Sequence, residues 1–142
     1  MTRAFFVPAA VLAAGVLGCA TSAAPDLAPQ PVRGRVLYKG KPVAEASVRF
    51  HPLGGLPPAA VLTADTDADG EFAMSYKKAG DGAPAGQYAV TVVLREKRRD
   101  GDEEIRNGAN LLPNKYADPE TSGLIADVRP GDNELPDFAL TD

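Results

Sequence analysis

The sequence predicts an all-β protein, a single antiparallel two-sheet sandwich of about seven strands, and three observations carry that prediction. Apolar side chains recur at every second position in one segment after another, the spacing of a strand with one buried and one wet face. The 142 residues include 14 Gly, 13 Pro and no Trp, so turn-forming residues punctuate the chain too often for long helices. No helix-period segment follows the first eighteen residues. Short strands with one apolar face each can bury those faces only against one another, which makes two packed sheets. At 44% hydrophobic and 24% charged residues the chain fits one ordinary globular domain. A net charge of −4 with interspersed signs offers no basic patch for nucleic acid.

Residues 1–18 read as a signal peptide. Arg3 is the one cation, and the run Ala4 to Leu17 carries no charge, too short for a typical spanning helix of about 20 residues. The run closes on Val16-Leu17-Gly18-Cys19, which resembles the lipobox of bacterial lipoproteins, although Leu17 is bulkier than the residue often found there. The resemblance implies a diacylglycerol on the Cys19 sulfur, cleavage between Gly18 and Cys19, and acylation of the new amine. A lone cysteine in an exported chain otherwise asks for a free thiol or an intermolecular bridge. Residues 19–31 then form a Pro/Ala tether, with Pro25, Pro29 and Pro31 among small residues. Extended at about 3.1 Å per residue, it spans roughly 30 Å.

The domain proper is expected over 32–142. Val32 to His51 reads as two arms folded back at Lys39-Gly40-Lys41-Pro42, with Val32, Val36 and Tyr38 on one face and Ala46, Val48 and Phe50 on another. Two Gly and three Pro between His51 and Pro58 end that pairing. Ala60 to Thr66 and Glu71 to Tyr76 form the arms of a second expected hairpin around Asp69-Gly70, where Gly supplies the positive φ of the turn. After a Gly/Ala-rich loop, Gln87 to Arg95 is β-branched and alternating, as expected of a central strand. Leu124, Ala126 and Val128 mark the next strand, and Pro130-Gly131-Asp132-Asn133 turns the chain into a last one ending in Phe138 and Leu140. Between them, the charged run from Glu96 to Glu104 is expected as a solvated loop or hairpin tip. Leu111, Leu112 and Tyr116 are expected to cover an open end of the sandwich, with Pro113 and Pro119 preventing regular pairing.

Several of these phrases occur together in a recognisable order: Gly34-Arg35-Val36, Gly40-Lys41-Pro42-Val43, Thr66-Asp67-Ala68-Asp69-Gly70-Glu71-Phe72, Pro84-Ala85-Gly86-Gln87-Tyr88 and Phe138-Ala139-Leu140. From Val32 to Thr141 the chain resembles the carboxypeptidase regulatory-like domain. The resemblance implies a transthyretin-like, or prealbumin-like, β-sandwich in a surface or periplasmic lipoprotein, with a non-catalytic accessory or binding role and no particular ligand.

Candidate sites are few. Asp65, Asp67 and Asp69 before Gly70 match the opening of a calcium loop, but the twelfth position, which should be a bidentate Glu, is Tyr76. A turn in which Asp caps its own backbone accounts for the pattern. His51 is the one His, expected on the solvent side, and with no free thiol it makes neither a zinc site nor a nucleophilic triad. Those transthyretin-like proteins that hydrolyse 5-hydroxyisourate carry several His and Arg residues and a Tyr-Arg-Gly-Ser ending, whereas this chain ends Ala139-Leu140-Thr141-Asp142. Sugar platforms need exposed aromatics, and only Tyr38, Tyr76 and Tyr116 are not claimed by the core pattern.

The sequence therefore predicts a lipid-anchored, non-catalytic accessory, structural or protein-binding module of the cell envelope, without cofactor or metal. Its expected partners are a membrane, through Cys19, and an envelope protein. A small-ligand, carbohydrate or calcium-dependent binding protein on the same sandwich is the alternative. Ala20 in place of an Asp after the lipidated position leans toward the outer membrane or periplasmic face over the inner membrane.

Overall fold

The computed structural model describes residues 27–54 and 61–142. The signal peptide, Cys19, most of the expected tether and Ala60 lie outside the described residues. Along the chain run β1 (Pro29–Gln30), β2 (Val32–Tyr38), β3 (Lys41–Pro42), β4 (Ser47–Pro52), β5 (Leu62–Asp65), β6 (Glu71–Ala73) and β7 (Ala83–Pro84). There follow β8 (Gly86–Val93), β9 (Arg95–Asp100), β10 (Glu103–Asn110), a 3-10 helix (Asn114–Ala117), β11 (Leu124–Val128), β12 (Asn133–Glu134) and β13 (Phe138–Leu140). The all-β class is thus observed.

Two sheets form the sandwich. One has the order β11-β8-β4-β5 and is antiparallel throughout. The other is built on β2, which pairs with β3, β6, β12 and β13. Val48, Phe50, Leu62, Tyr88, Val90, Val92, Ala126 and Val128 from the first sheet meet Val32, Val36, Phe72, Phe138 and Leu140 from the second in one buried cluster. Phe50 bridges the layers, edge-on to Phe72 at 6.2 Å and tilted to Tyr88 at 5.5 Å. These apolar faces are the ones that alternation predicts, and β8 is the central strand expected of Gln87 to Arg95.

Pairing partners depart from expectation in three places. The arms of Val32 to His51 do not pair with each other: β2 and β4 lie in different sheets, and only the short β2–β3 hairpin closes at Lys39-Gly40. The chain leaves that hairpin through Val43 to Ala46, where Thr66 pins it. Glu45 N–H donates to Thr66 O, Thr66 N–H to Ala46 O, and the buried Thr66 hydroxyl donates to Val43 O at 2.6 Å and accepts from Ala46 N–H at 2.9 Å. The Asp67–Gly70 turn likewise joins one sheet to the other, since β5 pairs with β4 and β6 with β2, and a single bridge from Thr63 to Ser75 remains of the expected hairpin. Finally, β12 and β13 run parallel to β2, so the sandwich is mixed, with antiparallel pairing confined to the other strands.

Two boundaries also shift. Pro29 and Gln30 pair with Pro84 and Ala83, so paired backbone begins before Val32. Leu112 and Tyr116 are buried as expected, Tyr116 exchanging hydrogen bonds with Thr141 N–H and O, but Leu111 is exposed.

Candidate functional site

The charged run from Arg95 to Glu104 is a continuation of the central strand. β8 passes through Leu94 into β9, which turns at Gly101 and returns as β10, giving a two-stranded hairpin whose β9 side chains are all exposed. Alternation then places Thr91, Val93, Arg95 and Lys97 on one line along the outer side of the sheet. Ser47, Arg49 and His51 of β4 stand beside it, with Ser47 opposite Val93 and Arg49 opposite Thr91. The hairpin walls one side of a groove of about 740 Å³ over this surface.

Ion pairs fix the hairpin base. Glu45, at φ 57°, receives Arg106 and Lys97, the latter at 3.2 Å, and Lys97 also lies 3.8 Å from Glu104. Arg106 donates to Arg95 O at 2.7 Å, and Arg95 donates to Gly108 O at 3.3 Å. Gly108 is required there, because a Cβ would stand 2.8 Å from Glu96 Cβ and Glu96 O. Of the groove's four cations, Arg49 alone takes part in no side-chain hydrogen bond or ion pair among the described residues.

His51 lies half-buried on this surface, with Nε2 3.0 Å from Thr91 Oγ1. Burial pushes its pKa below 6.5, and the nearby Arg49 adds to the effect, while Asp118 acts in the opposite sense. An imidazole, a hydroxyl and a carboxylate are therefore neighbours, yet Thr91 is only 3% exposed and Asp118 Oδ1 accepts from Glu120 N–H at 2.8 Å. The hydroxyl is engaged by the ring at 3.0 Å.

The Asp65, Asp67 and Asp69 set does not converge. Asp67 Oδ1 accepts from Asp69 N–H at 2.9 Å and from Glu71 N–H at 3.0 Å, capping its own turn. Asp65 lies opposite Ser47 at the sheet edge. Among the described residues no group of three or more His, Cys, Asp or Glu is placed to hold a metal ion. A second depression of about 740 Å³ on the β2 sheet is lined by Arg33, Arg35, Glu71, Glu134 and Asp137, with Arg35 paired to Glu71 at 2.9 Å.

Neither hollow contains the three tyrosines. Tyr38 donates to Asp142, Tyr116 is held by Thr141, and Lys39, Lys77 and Lys115 lie over the rings of Tyr38, Tyr76 and Tyr116 at 5.2, 5.3 and 5.0 Å. Sequence reasoning passed over Arg49, Arg95 and Arg106, since exposed cations on strands look alike until register places them side by side.

Fold and groove together define the class: an all-β sandwich with an open, charged groove on its four-stranded antiparallel sheet. No protein-family profile matches the chain, and no curated protein matches it significantly. Among solved structures, a DUF3823 family protein from Parabacteroides merdae is 15% identical with a TM-score of 0.41, covering 82% of this chain and 46% of its own. A 9R-lipoxygenase from Cyanothece is also 15% identical with a TM-score of 0.45, over 80% of this chain and 16% of that one. A proposed carbohydrate-binding protein from Pseudomonas aeruginosa is 13% identical with a TM-score of 0.40, over 84% and 92%. The chain thus spans less than half of the first two. At these identities the fold class rests on the strands themselves.

Proposed function

We propose that this protein is a lipid-anchored, non-catalytic binding module of the cell envelope, a lipoprotein with a carboxypeptidase regulatory-like domain, which engages a protein partner through the β9–β10 hairpin and the groove beside it. One observation carries the reading: the central strand runs beyond its sheet into a charged two-stranded ribbon, exposed along all of β9, whose edge pairs with no other strand among the described residues and can take another chain. The non-catalytic part rests on the buried Thr91 hydroxyl, which is hydrogen-bonded to the His51 ring, and on the absence of a metal-holding group among the described residues. The anchor rests on Val16-Leu17-Gly18-Cys19, with acyl chains on Cys19 holding the domain at a membrane, more in keeping with the outer membrane than the inner one. Two or three chains anchor stably where one binds only reversibly.

Two measurements test it. Mass spectrometry of the mature amino terminus should find an acylated Cys19, and an unmodified cysteine or cleavage elsewhere removes the anchor. A pull-down from detergent-solubilised envelope should enrich a defined protein on the acylated chain and lose it when residues 98–105 are replaced by Asn-Gly, which closes a two-residue turn between the paired Lys97 and Arg106. Equal recovery on both chains rejects the hairpin as the contact. A second reading, a small-ligand module, is favoured by the groove volume of about 740 Å³, which lies in the range of ligand pockets.

A further inference from the structure

We infer that the groove receives a carboxylate side chain from an extended acidic peptide segment, with Arg49 as its anchor. The inference rests on the protein-binding reading above and names the chemistry of the partner. Arg49 stands in the middle of β4 and lines the groove, opposite Thr91 on the neighbouring strand and two residues before His51 on its own. A guanidinium presents a planar fork of donors that matches a carboxylate in two parallel hydrogen bonds, and among the described residues no carboxylate pairs with Arg49: Glu45 is engaged by Arg106 and Lys97, and Asp65, although in the same groove, forms no ion pair with it.

Charge gives the groove its preference. Its lining holds Arg49, Arg95, Lys97 and Arg106 against Glu45, Asp65 and Glu104, with Lys97 and Arg106 sharing the Glu45 carboxylate and Lys97 also reaching Glu104. Among the described residues, Arg49 and Arg95 are the groove cations without a carboxylate partner. They stand near the two ends of one strand-lined row, so a chain lying along that row can present acidic side chains to both. Saccharides are disfavoured because no Phe, Tyr or Trp ring lines the groove, leaving none of the broad platforms on which a sugar face stacks.

The test is calorimetric titration of the full chain with tetraglutamate, tetraglutamine and a galacturonate tetramer, repeated on Arg49→Gln and Arg49→Lys. Tetraglutamate should bind and tetraglutamine should not. Affinity should fall at least tenfold in Arg49→Gln and recover only in part in Arg49→Lys, since Lys lacks the fork. Amide spectra of both variants should match the wild type outside the groove, which separates lost contact from lost fold. Unchanged affinity in Arg49→Gln, or equal binding of tetraglutamine, overturns the inference, and tighter binding of the galacturonate overturns the peptide assignment. Failure of the protein-binding reading shows differently: envelope capture is then indifferent to the hairpin while tetraglutamate still binds through Arg49. If instead capture depends on the hairpin and no tetramer binds, that reading stands and the anchor falls.

Discussion

Phe72 occupies the space that a side chain at Gly34 would fill: a Cβ at residue 34 would stand 2.6 Å from Phe72 Cζ and 2.8 Å from Cε1. Val32 and Val36 flank that gap on the same face of β2, and the ring completes the row from the neighbouring strand, where it also stacks on Phe138 at 6.1 Å. Gly34→Ala forces the ring off this position. Overpacking of this kind costs about 1–3 kcal/mol, so the urea midpoint should fall, and Phe72→Leu in the Gly34→Ala background should recover part of the loss. A Gly34→Ala variant as stable as the wild type shows that the ring can move freely.

The same residue shows what alternation in the sequence can and cannot say. A period of two assigns each side chain to a face, and it does so correctly for Val48, Phe50, Tyr88, Val90 and Phe138. It is silent on which strand lies alongside, because either sheet offers an apolar surface to the same pattern. Hence β2 and β4, adjacent in sequence and alike in pattern, were expected as a hairpin and are found in opposite layers. The groove was less legible still. Its walls come from Glu45, Arg49, Arg95 and Arg106, which are charged positions of the sort any solvated strand carries, and their neighbourhood depends on register and on the positive φ of Glu45.

The crossover between the layers depends on Thr66. Its hydroxyl is buried and makes two hydrogen bonds to the segment Val43 to Ala46. Thr66→Val keeps the shape and β-propensity while leaving Val43 O and Ala46 N–H without that partner. Each buried group left unsatisfied costs about 1–3 kcal/mol. The variant should therefore melt several degrees lower, as followed by circular dichroism, whereas Thr66→Ser should keep most of the stability. Equal melting of Thr66→Val and wild type would mean that water reaches the crossover.

Glu45 is expected to act locally. A two-stranded ribbon is marginally stable alone, and the hairpin is held at its base by Glu45 with Lys97 and Arg106. Both faces of these pairs meet water, where an ion pair is worth little globally, about 0–1 kcal/mol. In Glu45→Gln the amides of β9 and β10 should exchange faster with deuterium while those of β4 and β8 keep their rates. Uniform acceleration across the domain refutes a local role.

Calcium should leave the protein unchanged. Asp67 Oδ1 already accepts Asp69 N–H and Glu71 N–H, and turning the carboxylate toward an ion opens the turn, while no group of three or more His, Cys, Asp or Glu among the described residues is placed to hold one. Millimolar calcium should therefore not move the melting midpoint. A rise that Asp67→Asn abolishes would establish a site at this turn.

Asp81 links the Gly/Ala-rich loop to pH. Burial raises the pKa of its carboxyl, but hydrogen bonds from the N–H groups of Tyr76 at 2.7 Å, Lys78 at 3.0 Å and Lys77 at 3.0 Å, together with its own, more than offset this and hold the value below 3.8. A carboxylate favoured in the folded state binds protons less readily there than in the unfolded chain, so its contribution is complete above pH 3.8 and lost as pH falls through the lower folded value. Carbon-detected NMR should place the Asp81 midpoint below 3.8, and protonation should release the amides of residues 76–78 to exchange. In Asp81→Asn this acid-induced release should disappear, because the neutral amide has no charge to lose and the loop is already weakened at neutral pH. A midpoint at or above 3.8 would mean that desolvation outweighs the backbone donors and that the loop is closed by other contacts, such as Gly80 N–H to Ser75 Oγ at 2.8 Å.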